Sequence, residues 1–182
     1  MKTNRLSTAL TQALNKQITL EAVSAQIYLM LACWADEAKM AGVKDFLMKH
    51  SHEERIHMAK IIEYVQERGS TVKIEAIGAP GKEPKNVLEC FEMVYAQEVK
   101  NTDAIYNIVT LAFEEKDWAT WNFLQWLVTE QREEEKLALE LLDRLKLAGG
   151  AKASDIALFE FDKSFKTTSQ TVSIADETNP LQ

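Results

Sequence analysis

Glu54 and His57 are three residues apart, a spacing that puts both on one face of a helix. A lone glutamate recurs on the apolar seam of three other helical stretches, at Glu21, Glu98 and Glu134. Glu21 lies seven residues after Leu14 and seven before Tyr28, and Glu54 follows Leu47 by seven. Glu98 is flanked at helical spacing by Phe91, Val94 and Ile105; Glu134 sits between Leu127 and Leu141, with Gln131 three residues before it. Each polar group stands where the pattern expects a hydrophobe. A carboxylate buried without a partner is costly, so inward glutamates on every helix need a shared reason, and a pair of metals supplies it. Carboxylates bridge two cations, and an imidazole favours iron over magnesium or calcium. The Glu-x-x-His pattern alone is weak, because a solvated helix face produces it by chance. The joint pattern is specific.

The elements that must position these groups are long helices. Every Gly and Pro falls at Gly42, between Gly69 and Pro84, at Gly149-Gly150 or at Pro180, which leaves long stretches free of breakers. Residues 7–39 carry Leu10, Leu14, Ile18, Ala25, Tyr28 and Ala32 at three- and four-residue spacing. Gly42 reads as the stop before a second helix that runs to about residue 68, with Val43, Leu47, Ile61 and Val65 on its stripe. A third follows Pro84, with Val87, Phe91, Val94, Ile105 and Val109. Asp117 reads as the N-cap of a fourth, with Leu124, Leu127, Ala138, Leu141 and Leu145 on its seam. Residues 154–165 form a short apolar fifth segment, and the polar tail, residues 166–182, reads as mobile.

Tight turns make the first and second helices antiparallel neighbours, and likewise the third and fourth. About sixteen residues join the second to the third, enough to cover some 50 Å. A helix of about 26 residues spans roughly 39 Å, so this connection can run the length of a bundle and make its flanking helices parallel. The fold expected is all-α, a single-domain four-helix up-down bundle with one long crossover and a short fifth helix.

With 46% hydrophobic and 27% charged residues the balance is that of a globular chain. A net charge of −7 argues against nucleic acid or an anionic membrane as partner and suits a protein that attracts cations. No apolar run approaches a membrane span, and residues 1–15 lack the apolar stretch of a secretory signal. Cys33 and Cys90 have no metal-type spacing and read as small buried hydrophobes in a reduced, cytoplasmic compartment.

Taken together, Glu21 through Tyr28, His50-Ser51-His52-Glu53-Glu54-Arg55-Ile56-His57, Glu98, and Trp126 followed by Glu130-Gln131-Arg132-Glu133-Glu134 resemble the ferritin family, the bacterial non-haem type in particular. The resemblance covers nearly the whole chain. Bacterioferritins and rubrerythrin-like enzymes carry a second Glu-x-x-His on the fourth helix; here Glu133 follows Glu130 and Glu134 follows Gln131 at that spacing. Bacterioferritins also bind haem through a Met directly after the bridging glutamate, where this chain has Arg55, so the resemblance implies no haem. DNA-protecting mini-ferritins lack a helix after the bundle.

The resemblance implies one iron at Glu21, Glu54 and His57, and a second at Glu54, Glu98 and Glu134, with Glu54 bridging and Gln131 nearby. It implies a third position at Glu53, Glu130, Glu133 and Glu134. Tyr28 and Trp126 would be aromatic neighbours able to supply electrons. His50 reads as a hydrogen-bonded structural residue and His52 as a surface one. The positions that carry acidic channel residues in animal heavy chains fall on Trp121 and Leu124, which argues against an acidic three-fold route for Fe2+. The activity implied is a ferroxidase: two Fe2+ bind, O2 or H2O2 takes electrons from both, and ferric oxyhydroxide collects inside a cage of twenty-four copies. The fifth helix, with Ile156, Leu158, Phe159 and Phe161, would pack about the four-fold axes. Two other readings stand beside it: a di-iron oxidase or peroxidase that stores nothing, and a helical interaction module without metal.

Overall fold

The structure is a computed structural model and describes residues 4–168. Its elements are α1 (Thr8–Glu37), α2 (Ala41–Glu67), α3 (Val87–Glu114), α4 (Trp118–Leu147), a 3-10 turn (Gly150–Lys152) and α5 (Asp155–Thr168), with no strand among the described residues. Side-chain caps start three helices. Ser7 Oγ accepts the Leu10 N–H at 3.0 Å, Asn86 Oδ1 the Glu89 N–H at 3.0 Å, and Asp117 Oδ1 the Thr120 N–H at 3.1 Å. The apolar stripes read from the sequence are the buried faces, with only Val109 partly exposed.

Gly42 does not stop the first helix. α1 ends at Glu37, and the turn is made by Lys39 at φ 63°, with the Met40 N–H reaching back to the Ala35 carbonyl at 2.9 Å. The α3–α4 turn repeats this with Lys116 at φ 56° and the Asp117 N–H on the Ala112 carbonyl at 2.9 Å. Gly42 lies inside α2, and its reason is α5. A Cβ there would stand 2.1 Å from the Asp162 carbonyl oxygen, and Asp162 Oδ1 accepts the Val43 N–H at 2.9 Å. Met40, at the N-cap of α2, makes no side-chain cap bond, so α5 supplies the cap from a distance.

The crossover, residues 68–86, begins beside Asn15, whose amide donates to the Thr71 carbonyl at 3.0 Å and whose Oδ1 accepts the Lys73 N–H at 2.6 Å. It ends with Lys85, Asn86 and Val87 around a cavity shared with Trp34, Ala38, Lys39 and Met40. It therefore travels along α1 by about 35 Å, and α3 starts at the same end of the bundle as α2. Tyr64–Thr120, His57–Trp126 and His50–Glu134 pair α2 with α4 in opposite directions. This is the expected up-down bundle with one crossover.

The core comes in two pieces. One holds Leu10, Leu14, Ile18, Ile61, Ile105, Leu124 and Leu127; the other holds Leu31, Leu47, Phe91, Leu141 and Leu145. Each of α1 to α4 passes between them through buried polar residues, and that layer holds the candidate site. α5 closes the second piece with Phe161, which is buried edge-on to Phe91 at 5.4 Å. Its other face leaves Ile156 (78% exposed) and Phe159 (65%) in the open, so α5 docks on its own bundle and still presents an apolar surface.

Three further expectations need correcting. Cys33 is exposed, because α1 turns position 33 away from the core that Leu31 and Ala32 enter; Cys90 is buried, which pushes its thiol up to about 12. α5 runs three residues beyond 165, and the tail from 169 to 182 lies outside the described residues. α1 also contains an 18-residue window of mean hydropathy 1.4, long and apolar enough to cross a membrane by length and composition. Its average hides the buried Glu21 and Ser24, which face partners inside the bundle.

Candidate metal centre

Glu21 and Tyr28 come from α1, Glu54 and His57 from α2, Glu98 from α3 and Gln131 from α4. All six are buried. One donor atom each from Glu21, Glu54 and His57 lie within 4.8 Å of one another. Within this triplet His57 Nδ1 stands 3.5 Å from Glu54 Oε2, and both atoms are buried without a hydrogen-bond partner. Buried polar atoms are normally satisfied, so two orphans facing each other leave room for a ligand that both can bind. Two carboxylates and an imidazole suit a first-row divalent metal.

A second triplet, His50, Glu53 and Glu134, also converges within 4.8 Å. His50 Nδ1 lies 3.0 Å from Glu53 Oε2 and 3.6 Å from Glu134 Oε2. Its ring is set by Phe46, edge-on at 4.2 Å, and by Tyr28 at 5.5 Å. Glu53 and Glu134 thus come together from the set expected for a third position, joined by His50. Glu130 is partly buried outside the triplet, and Glu133 is exposed and paired with Arg132 at 3.2 Å. Glu98 belongs to neither triplet: it accepts hydrogen bonds from the Tyr28 hydroxyl and from Gln131 Nε2, the latter at 3.2 Å. His52 and Arg55 are exposed; Leu124 is core, and Trp121 packs against it.

Burial raises Glu21 well above the usual carboxylate range, and the Glu54 charge adds to it. Burial lifts Glu54 to about 8, with the charges of Glu98, Glu134 and Glu53 acting in the same direction. Glu98 and Glu134 are raised by burial as well. Burial opposes charging His50, yet its contacts with Glu53 and Glu134 outweigh this and raise its pKa. Burial and the Glu98 charge hold the Tyr28 phenol protonated. So many raised carboxyls in one layer make it a candidate site for cations, whose charge would offset theirs.

Several residues around the site were not singled out from the sequence. Gln17 and Asn101 contact Glu21, Thr102 contacts Gln131, and Gln97 contacts Ser24, all buried. The signal was available, since each is a polar residue on a seam within four positions of a glutamate or of Gln131's partner helix. Trp126 lies edge-on to His57 at 5.4 Å, with the Lys60 ammonium 4.4 Å from the centre of its ring.

Residues 11–148 match the family described as Ferritin-like domain. A probable bacterial non-heme ferritin-like protein of Haemophilus influenzae is 42% identical over 79% of this chain and 87% of its own length. The bacterial non-heme ferritin of Campylobacter jejuni is 38% identical over 79% and 86%. Among solved structures, an open-pore ferritin from the hyperthermophilic archaeon Archaeoglobus fulgidus superposes with a TM-score of 0.83 at 40% identity, covering 88% of this chain and 97% of that one.

Proposed function

The chain belongs to the ferritin family, in its bacterial non-haem branch, and on that premise we propose that it is an iron-storage subunit that oxidises Fe2+ at a two-iron centre in the bundle. The observation that carries this reading is the Glu21–Glu54–His57 triplet, with orphaned Glu54 Oε2 and His57 Nδ1 facing each other in a buried layer. These residues would hold one Fe2+. The second would sit between Glu54, Glu98 and Glu134 beside Gln131, once Glu98 exchanges its contact with Tyr28 for the metal.

Each Fe2+ gives up one electron; O2 takes two electrons and two protons to become H2O2, or H2O2 takes the same to become two waters. The protein's part is to hold two cations close together and to exclude water from the layer, which the apolar cores on both sides accomplish. Loading the site removes the proton held on Glu54, so binding and proton release are linked. Tyr28 is the better placed electron donor. The Lys60 ammonium over Trp126 disfavours a cationic indole, whereas the Tyr28 hydroxyl already points a proton at Glu98. Ferric product would move to the inside of a cytoplasmic cage of like subunits. The exposed Ile156 and Phe159 on α5 favour that assembly over the non-storing oxidase reading.

Glu54→Ala removes the ligand common to both positions. Stopped-flow oxidation of Fe2+ by the variant is expected to lose its fast phase; oxidation at the parent rate would overturn the assignment.

A further inference from the structure

Adjacent residues Asn101 and Thr102 of α3 face opposite sides of the metal layer, and each fixes a glutamine on a different helix. Gln17 Nε2 donates to Asn101 Oδ1 at 2.6 Å and to Glu21 Oε1 at 2.8 Å, while Asn101 Nδ2 donates to Glu21 Oε2 at 3.2 Å. On the other side Thr102 Oγ1 donates to Gln131 Oε1 at 3.2 Å, and Gln131 Nε2 donates to Glu98 Oε2 at 3.2 Å. Gln17 and Asn101 are each 1% exposed. We propose that Asn101 and Gln17 are positioning residues that clamp Glu21 by both carboxylate oxygens, and that Thr102 positions Glu98 by one oxygen through Gln131.

Three features carry this. First, the amide orientations are forced: a flipped Gln17 would aim its carbonyl at a carboxylate and at another carbonyl. Second, Gln17 Oε1 is left buried and unpartnered by this arrangement. A glutamine present only to join α1 to α3 would place both ends of its amide; this one gives up its acceptor to keep its donor on Glu21. Third, an amide donates one hydrogen bond to each Glu21 oxygen, fixing the plane of the carboxylate and leaving a free lone pair on each oxygen for metal. Partners of this kind, behind a metal ligand, set its orientation and commonly change affinity by about 10–100-fold.

The inference rests on the reading that Glu21, Glu54 and His57 hold metal, so its test includes the parent protein. Cobalt(II) is titrated anaerobically into the assembled full-length parent and into Asn101→Leu and Thr102→Val, and the ligand-field spectrum of each bound ion is followed. In Asn101→Leu the affinity of the histidine-bearing position is expected to fall by about tenfold or more, with an altered spectrum and the other position unchanged. Thr102→Val is expected to give the reverse. Gln17→Met, similar in size and unbranched, carries the same expectation as Asn101→Leu should that variant fail to assemble. Parent-like affinity and spectrum in Asn101→Leu, or equal losses at both positions in both variants, would overturn the clamp. Absence of saturable binding to the parent would instead overturn the metal reading beneath it.

Discussion

At the scale of residues, the candidate site was legible because its groups break a pattern. Glu21, Glu54, Glu98 and Glu134 interrupt heptad-spaced hydrophobes, and burying them raises every one of their pKa values. What the sequence could not convey is which way a buried side chain turns. Glu98 faces Tyr28 and Gln131, and His50 meets Glu53 and Glu134, because rotamers answer to neighbours from other helices. A pH dependence follows. Glu54 at about 8 keeps its proton at pH 7, and Glu21 beside it is raised well above the usual carboxylate range, so binding a divalent cation there is expected to release about one proton per chain or more. Raising the pH through 8 removes the Glu54 share of that release, since the group is then ionised beforehand. Calorimetry in buffers of differing ionisation enthalpy measures it, and a release that does not shrink above pH 9 would contradict the assignment to Glu54. In Tyr28→Phe, Glu98 loses a hydrogen-bond donor, and the proposed centre loses the phenol proposed as its reductant. Metal stoichiometry is expected to hold while the fast oxidation phase slows by about 100-fold, the low end of the usual range for one positioned proton donor, as read by stopped-flow absorbance.

At the scale of elements, helix number, order and apolar faces followed from periodicity and breaker placement, and the caps at Asn86 and Asp117 make the bonds such residues make. The turns were less legible. Lys39 and Lys116 adopt left-handed backbone at a cost of about 1–2 kcal/mol each, with no glycine to announce it. The nearby glycine, Gly42, serves a contact 120 residues away in the chain that no local rule could detect. That contact makes a prediction. Asp162→Ala removes the cap on α2 and is expected to cost about 1 kcal/mol, seen as a lower thermal midpoint. Gly42→Ala is expected to cost more, since its Cβ meets backbone rather than a side-chain end, and to loosen α5 as read by hydrogen exchange at Phe161. Unchanged protection there would show that α5 is held by Phe161 and its aromatic neighbours alone.

At the scale of the whole molecule, a polar layer lies between two apolar cores, and the crossover makes it possible by bringing α3 in parallel to α2. The same crossover places Asn101 and Thr102 of α3 between glutamines on α1 and α4. A net charge of −7 draws cations toward the subunit, and the open face of α5 offers an apolar contact to other copies. Twenty-four copies of a 20.7 kDa chain are expected to run at about 500 kDa by light scattering; Phe159→Glu, which charges that face, is expected to yield smaller species with the bundle still helical. A monomer or dimer in the parent would favour the non-storing oxidase. The most direct measurement is anomalous diffraction at the iron edge from crystals soaked anaerobically in Fe2+. It should place one ion among Glu21, Glu54 and His57 and a second between Glu54, Glu98 and Glu134, with Glu98 turned from Tyr28. Ions found only on the surface carboxylates, with the buried layer bare, would contradict a two-iron centre in this bundle.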